Sequence, residues 1–437
     1  MLIFIENTPR AYAWGSRDAL PSLLGTTPTG EPQAELWLGD HPGAPASVMK
    51  ARPAPQTLIE LIESDPERYG VDGAHLPFLL KVLGIGAPLS LQVHPDKRQA
   101  EEGFAREEAA GVPRGARERN YGDANHKPEL LVALGEVTAL CGFRPLAEAR
   151  AELLALAAAA PAGRGREALE HAAGMCAVDD ESAARAARSS LLTWAFDGDD
   201  ATLAVTALAE ALDRGVQGVS DSRLRSLREL TATHPADAGV LLSLLLHLVT
   251  LRPGEAVYLG ARQLHAYLSG IAVEVMAASD NVLRAGLTVK HVDAGEVMRI
   301  VDTATLDSPR LEARPVAPGL IAWQPDVPDF VLLRARLGSG AGDAAHDSVD
   351  PADVSELERH AETVRVEAPY PMVLVVVSGR ARVERVGAEL SEVASVGRGQ
   401  SLYVSAGEPI ELSGFAEVFL ATVGAGWPRV SQPSSEG

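Results

Sequence analysis

Residues 77–97 read PFLLKVLGIGAPLSLQVHPDK. Two short apolar runs, Pro77–Leu83 and Pro88–His94, are separated by Gly84 and Gly86, which is the texture of strands joined by a turn. Alternate side chains of a strand share a face, so Leu89, Leu91 and Val93 fall on one side and Ser90, Gln92 and His94 on the other. Plain solvent exposure also produces such a polar face. The two-residue spacing of Gln92 and His94 equally suits two metal-ligand atoms aimed at one point.

The same β texture holds from Met1 to about Pro145, with a further run at Glu129–Leu134. At Leu146 it stops. Through Leu251 the chain is rich in Ala, Leu, Arg and Glu, with apolar residues at helical spacing in Leu146–Ala159, Glu181–Ala195, Ala201–Arg214 and Ala238–Leu251, which predicts four or five helices. Strand runs return at Val257–Leu259, Ala272–Met276, Val297–Val301, Phe330–Arg336, Met372–Val377 and Val418–Val423. The reading is a mainly β fold with a helical insertion. Residues 1–145 and 252–337 make a discontinuous catalytic β-domain, 146–251 a helical domain, and 338–437 a C-terminal β-domain. Gly338–Asp350 reads as a linker. The Gly-punctuated strands after Pro371 suit a β-sandwich or jelly roll.

The 437 residues carry 39 basic and 59 acidic side chains, a net charge of −20. That field disfavours nucleic acid and anionic membrane as partners. The longest apolar stretch, Ala238–Leu251, contains Ser243 and His247 and is too short to span a bilayer. Two cysteines make no disulfide scaffold, and Met1–Asn7 lacks the basic start of a signal peptide, so a cytoplasmic location is expected.

Titratable residues cluster in three places. Beyond Gln92 and His94, the stretch NHKPEL places His126, Lys127 and Glu129 at the mouth of an apolar strand. A loop of solvated charges accounts for them as well as a site does. In the third stretch, Gly254–Asp293, His265 follows a turn, Glu274 lies between Val273 and Val275, and Asp280, Arg284 and Lys290 follow. A carboxylate in such a strand needs a cation, a metal or a cavity, and an ion pair with a nearby Arg would serve Glu274. Together Gln92, His94, Glu129 and His265 form an oxygen and nitrogen set that a tetrahedral zinc accepts.

Four blocks carry a resemblance: AELWLGDHPGAPA (34–46), PFLLKVLGIGAPLSLQVHPDK (77–97), YGDANHKPEL (121–130) and VEVMAASDNVLRAGLTVKHVD (273–293). They strongly resemble type I mannose-6-phosphate isomerases. The resemblance implies a cupin fold of jelly-roll β-sandwiches with a helical domain, and one zinc per chain on Gln92, His94, Glu129 and His265. It assigns a catalytic role to Arg284 and places Ser90, Lys81 and Lys290 at the substrate phosphate. Leu287-Thr288-Val289-Lys290 departs from the more usual aromatic-Thr-Pro-Lys pattern.

The implied reaction interconverts mannose 6-phosphate and fructose 6-phosphate through an enediol. It needs a proton-moving group, for which Asp280 with Lys127 and His126 are candidates and Glu274 a rival. A guanidinium stays protonated, so Arg284 stabilises charge rather than acting as base. The alternatives are a cupin metal oxygenase and a catalytically inactive sugar-phosphate-binding cupin. A monomer with a small sugar phosphate as its partner is expected. Lys97 reads as a turn residue, and Trp14 as either a cleft wall or a core aromatic. His346 and His360 are too isolated to be ligands.

Overall fold

The computed structural model describes residues 1–49, 56–338, 359–387 and 392–427. The loop expected over 338–350 lies, beyond Gly338, outside the described residues, and so does His346.

Nine antiparallel strands build the first β-region. One layer runs in the order Ala256–Leu259, Glu129–Ala133, the second half of His265–Ala277, Phe78–Ile85 and Glu35–Leu38. The other holds Leu283–Gly286, Leu91–Val93, the first half of His265–Ala277, Val137–Phe143 and Leu246–Leu251. The strand His265–Ala277 therefore serves both layers and turns the corner between them at Gly270, whose φ is +119°. A Cβ there would meet the Glu136 carbonyl oxygen at 2.3 Å, so only glycine fits.

A second, eleven-stranded sheet centres on Met372–Arg385 and Gly407–Thr422. Its membership crosses the boundaries expected at 145 and 337. Leu2–Glu6 pairs with Ser401–Val404, and Arg314–Ala317, Leu320–Trp323 and Val331–Leu337 pair in succession onto Gly407–Thr422. Local texture marks strands but not their distant partners, which explains the difference. The two sheets share a core. Leu36, Leu38, Leu80, Val82, Leu130, Val132, Val273 and Val275 pack with Val373, Val375, Tyr403 and Phe419. Period-2 alternation then sends Trp37, Lys81, Glu129 and Glu274 to the opposite face.

The insertion holds six helices, from Leu146–Ala159 to Ala238–Ser243. Small residues allow their close approach: a Cβ on Gly165 would lie 2.7 Å from that of Ala207. Three local expectations are corrected. The helix expected over Ala238–Leu251 ends at Ser243, and Leu246–Leu251 is a strand paired with Val137–Phe143, since an all-apolar run has no period to separate the two. Val297–Val301 was expected as a strand, but Ala294–Ile300 is helical, capped by Asp293 accepting from the Glu296 N–H. Lys97 opens a helix, Lys97–Ala109, capped by a reciprocal Asp96–Gln99 box, rather than sitting in a turn.

Candidate metal centre

His94, Glu129 and His265 converge, each fully buried, with ligand atoms within 4.8 Å of one another. Among the described residues they are the one such group of three. His94 Nδ1 lies 2.6 Å from the Asn281 carbonyl oxygen and His265 Nδ1 lies 2.9 Å from that of Gln263. A carbonyl only accepts, so both rings carry their proton on Nδ1 and turn a bare Nε2 inward. Those two atoms face Glu129: His94 Nε2 is 3.2 Å from Oε1 and His265 Nε2 is 3.3 Å from Oε2. The His94 nitrogen makes no hydrogen bond. Four acceptors converging on one dry point suit a cation between them, in addition to Lys127, which reaches Glu129 Oε1 from one side.

The spacing fits zinc. A tetrahedral ion with bonds of about 2.0–2.1 Å separates its donors by about 3.3 Å. Gln92 stands beside this set: its amide nitrogen is 3.3 Å from His265 Nε2, and a half-turn of the amide would present its oxygen as a fourth donor. Backbone carbonyls that hold ring tautomers are the usual outer support of histidine ligands. Electrostatics agree. Burial pushes the His94 imidazolium down to about 4, helped by Lys127 and opposed by Glu129, so the ring is neutral. Burial opposes ionisation of Glu129, but the Lys127 ammonium, 2.8 Å away, outweighs it and holds the carboxyl well below the usual range.

Strand register places Arg284. His265 pairs with Gln92, and Gln92 pairs with Arg284. Directly paired residues share a face, so the three side chains form a row across the sheet. Among the described residues the Arg284 side chain has no hydrogen-bond or ion-pair partner, and burial lowers its pKa. Lys290 is exposed yet feels burial and the Arg284 charge, both of which lower its pKa. Ser90 immediately precedes the strand Leu91–Val93, two residues before Gln92. This basic end answers the overall negative charge. Arg117 pins the adjoining loop by donating to the Val289 carbonyl at 3.1 Å.

Other expected residues sit elsewhere. Lys81 is buried, with Nζ 3.3 Å from Glu274 and 3.6 Å from Glu35, and it lies over the Trp37 ring. Its charge is committed inside the sheet, which differs from the phosphate contact expected of it. The partner of Glu274 is this lysine, not an arginine. Burial pushes Glu274 up to about 7 although Lys81 pulls it down. His126 pairs with Asp329 at 2.8 Å, and Asp280 is exposed with His41 3.4 Å away. Trp14 packs at the edge of the core beside Tyr12.

Several residues escaped the reading of the sequence. Asp123 accepts from the N–H groups of Asn125 and Asp280 and from Ser279 and Asn281, and so builds the loop that carries Asp280. The Asp-x-Asn pattern of an Asx turn was the available signal. Glu35, alternating with Trp37 at a strand start, was the available signal for a partner to Lys81. Nothing local marks Asp329, or the carbonyls of Asn281 and Gln263.

Residues 2–146 match a family model described as phosphomannose isomerase type I, catalytic domain. The mannose-6-phosphate isomerase of Escherichia coli K12 is 41% identical over 323 residues, covering 72% of this chain and 78% of the relative. The human one is 30% identical over 390 residues, covering 83% and 89%. A zinc-bound crystal structure of mannose 6-phosphate isomerase superposes with a TM-score of 0.80 at 31% identity, over 97% of this chain and 99% of that one. The apo form from Salmonella typhimurium gives 0.79 at the same coverage. With the metal-ready triad and these relatives together, the chain belongs to the type I mannose-6-phosphate isomerase family.

Proposed function

We propose that this chain interconverts mannose 6-phosphate and fructose 6-phosphate through an enediol, using one zinc held by Gln92, His94, Glu129 and His265. The observation that carries the reading is the row from His265 through Gln92 to Arg284, whose side chain has no partner among the described residues, with two imidazoles turning bare Nε2 atoms to an ionised Glu129. When bound, zinc supplies a Lewis acid that polarises or orients sugar oxygens. Arg284 offers a planar, permanently charged fork to the oxygen charge that develops as the proton leaves carbon 2. Lys290 and Ser90, at the same end, receive the phosphate.

Asp280 moves the proton between carbons 2 and 1. It is the exposed carboxylate of a loop whose next residue, Asn281, holds His94. Lys127 keeps Glu129 ionised from 2.8 Å, and His126, tied to Asp329, stands on the other side of the same chain segment. Glu274 and Lys81 form the buried support beneath. No helix among the described residues is long and apolar enough to cross a membrane, and a monomeric cytoplasmic enzyme suits the acidic surface.

The test is to incubate the zinc-loaded protein with mannose 6-phosphate in deuterated water. Formation of fructose 6-phosphate with solvent deuterium entering at its carbon 1, or at carbon 2 of the mannose 6-phosphate recovered, is the expected result. Absence of product, or oxygen consumption with iron in place of zinc, would overturn the reading.

A further inference from the structure

The strand Glu35–Leu38 runs into the turn Gly39-Asp40-His41-Pro42-Gly43, whose two polar side chains, both buried, diverge. Asp40 accepts from the Leu76 N–H at 3.1 Å and contacts His75 Nδ1 at 2.8 Å, which ties the turn to a neighbouring loop. His41 faces the other way. Its ring meets Trp37 edge-on with centroids 4.9 Å apart, and Trp37 in turn underlies Lys81. The Gly43 N–H donates to His41 Nδ1 at 3.1 Å. A ring nitrogen that accepts carries no proton, so the neutral imidazole keeps its hydrogen on Nε2. That nitrogen lies 3.4 Å from Asp280 Oδ1. This is long for a formed hydrogen bond and typical of catalytic contacts before substrate tightens them.

Among the described residues His41 is the one partner of the Asp280 side chain. The Asp280 backbone is held separately, its N–H donating to Asp123 Oδ2 at 2.7 Å. Without the imidazole the backbone would stay in place and the carboxylate would swing. Burial, with Lys81 and Lys127, lowers the His41 pKa against the opposing pull of Asp280 and Asp123, which favours a neutral donor.

We propose that His41 is a positioning residue of the isomerase site, donating its Nε2–H to Asp280 so that one carboxylate oxygen is held and the other is aimed at the substrate. The inference rests on the isomerase reading above.

Two substitutions test it. His41→Leu removes the donor but keeps an apolar side chain against Trp37, and His41→Gln restores an N–H near the Nε2 position. His41→Leu should lower kcat on the order of 10- to 100-fold, the cost usual for an outer-shell partner, with KM for mannose 6-phosphate within about twofold and zinc content unchanged. His41→Gln should recover most of the loss. Equal loss in both variants, or no loss in His41→Leu, overturns the proposal. A readout free of turnover is the ¹⁵N spectrum of histidine-labelled zinc protein. His41 should appear as the Nε2–H tautomer, with its Nε2 signal moved by Asp280→Asn. An Nδ1–H tautomer or an unmoved signal overturns the pairing. If the unaltered protein fails to isomerise, the isomerase reading falls by itself and the spectrum alone decides the His41–Asp280 contact.

Discussion

Strand His265–Ala277 in the first sheet and strand Met372–Arg385 in the second are the long central strands of two antiparallel sheets that share a core. Each presents alternating valines to that core, Val273 and Val275 from one and Val373, Val375 and Val377 from the other. Their other faces differ. Met372, Leu374, Val376, Ala381 and Val383 fill a mostly apolar second layer, broken by the buried Thr422 and, at the strand's end, by Arg385, which donates to Ser405. The first strand puts His265, Tyr267 and Glu274 there instead, against Glu129, Lys81 and Gln92. The second sheet closes chiefly with hydrocarbon and sets its buried Arg334 and Arg385 beside Glu417 and Ser405. Burying the ionisable groups of the first costs several kcal/mol for any ion left unpaired, and Lys81 with Glu35 and Glu274, and Lys127 with Glu129, supply the pairs.

The sharpest way to break this comparison is to remove the metal donor from the polar strand. His265→Ala should abolish zinc binding and lower turnover by at least about 1000-fold, the scale of a lost Lewis acid. The far-ultraviolet circular dichroism should stay native because the apolar layers are untouched. Full zinc occupancy in that variant would undo the ligand assignment.

Arg284 ends the same row. Arg284→Ala should cut kcat on the order of 100- to 1000-fold with little change in KM if it meets developing charge. Arg284→Lys should rescue little, because the planar fork is lost. A lysine variant with near-normal turnover would move Arg284 to a phosphate clamp.

Lys81 tests what buried charge costs. Lys81→Met leaves Glu35 and Glu274 facing each other without a cation, and urea unfolding should show a loss of about 3–5 kcal/mol. A change under about 1 kcal/mol would mean the pair is solvated. Glu274 gives the smallest effect and a signed one. Its pKa rises in the fold from 4.5 to about 7, so the folded state holds the proton more tightly than the unfolded chain. The stability this gives is complete below about pH 4.5 and is lost as pH climbs to about 7. Relative to wild type at equal zinc, Glu274→Gln should therefore gain up to about 3 kcal/mol across that window and nothing above it. A flat difference would contradict the shift.

Much of the polar row was legible in the sequence because its members stand in strands whose period is two. Gln92, His94, Glu129 and His265 could be named from spacing and donor chemistry, and Arg284 from its motif. The helical insertion was legible at Leu146 because helical spacing replaces alternation there. What stayed hidden depends on distance in the chain. The Nδ1 contacts of His94 and His265 use backbone carbonyls, which no residue type announces. The ion pair of Lys81 with Glu35 was hidden because Glu35 lies 46 positions away in sequence, across one strand pairing. The helix Ala294–Ile300 was missed because Val297 to Val301 looks β-forming until the Asp293 cap is weighed.

The most direct measurement is a zinc titration of metal-free protein, followed by conversion of mannose 6-phosphate to fructose 6-phosphate. Activity should rise linearly and saturate at one zinc per chain, and a chelator should return it to baseline. Full turnover in metal-free protein, or saturation only at two or more zinc ions per chain, would contradict a single catalytic centre on His94, Glu129 and His265.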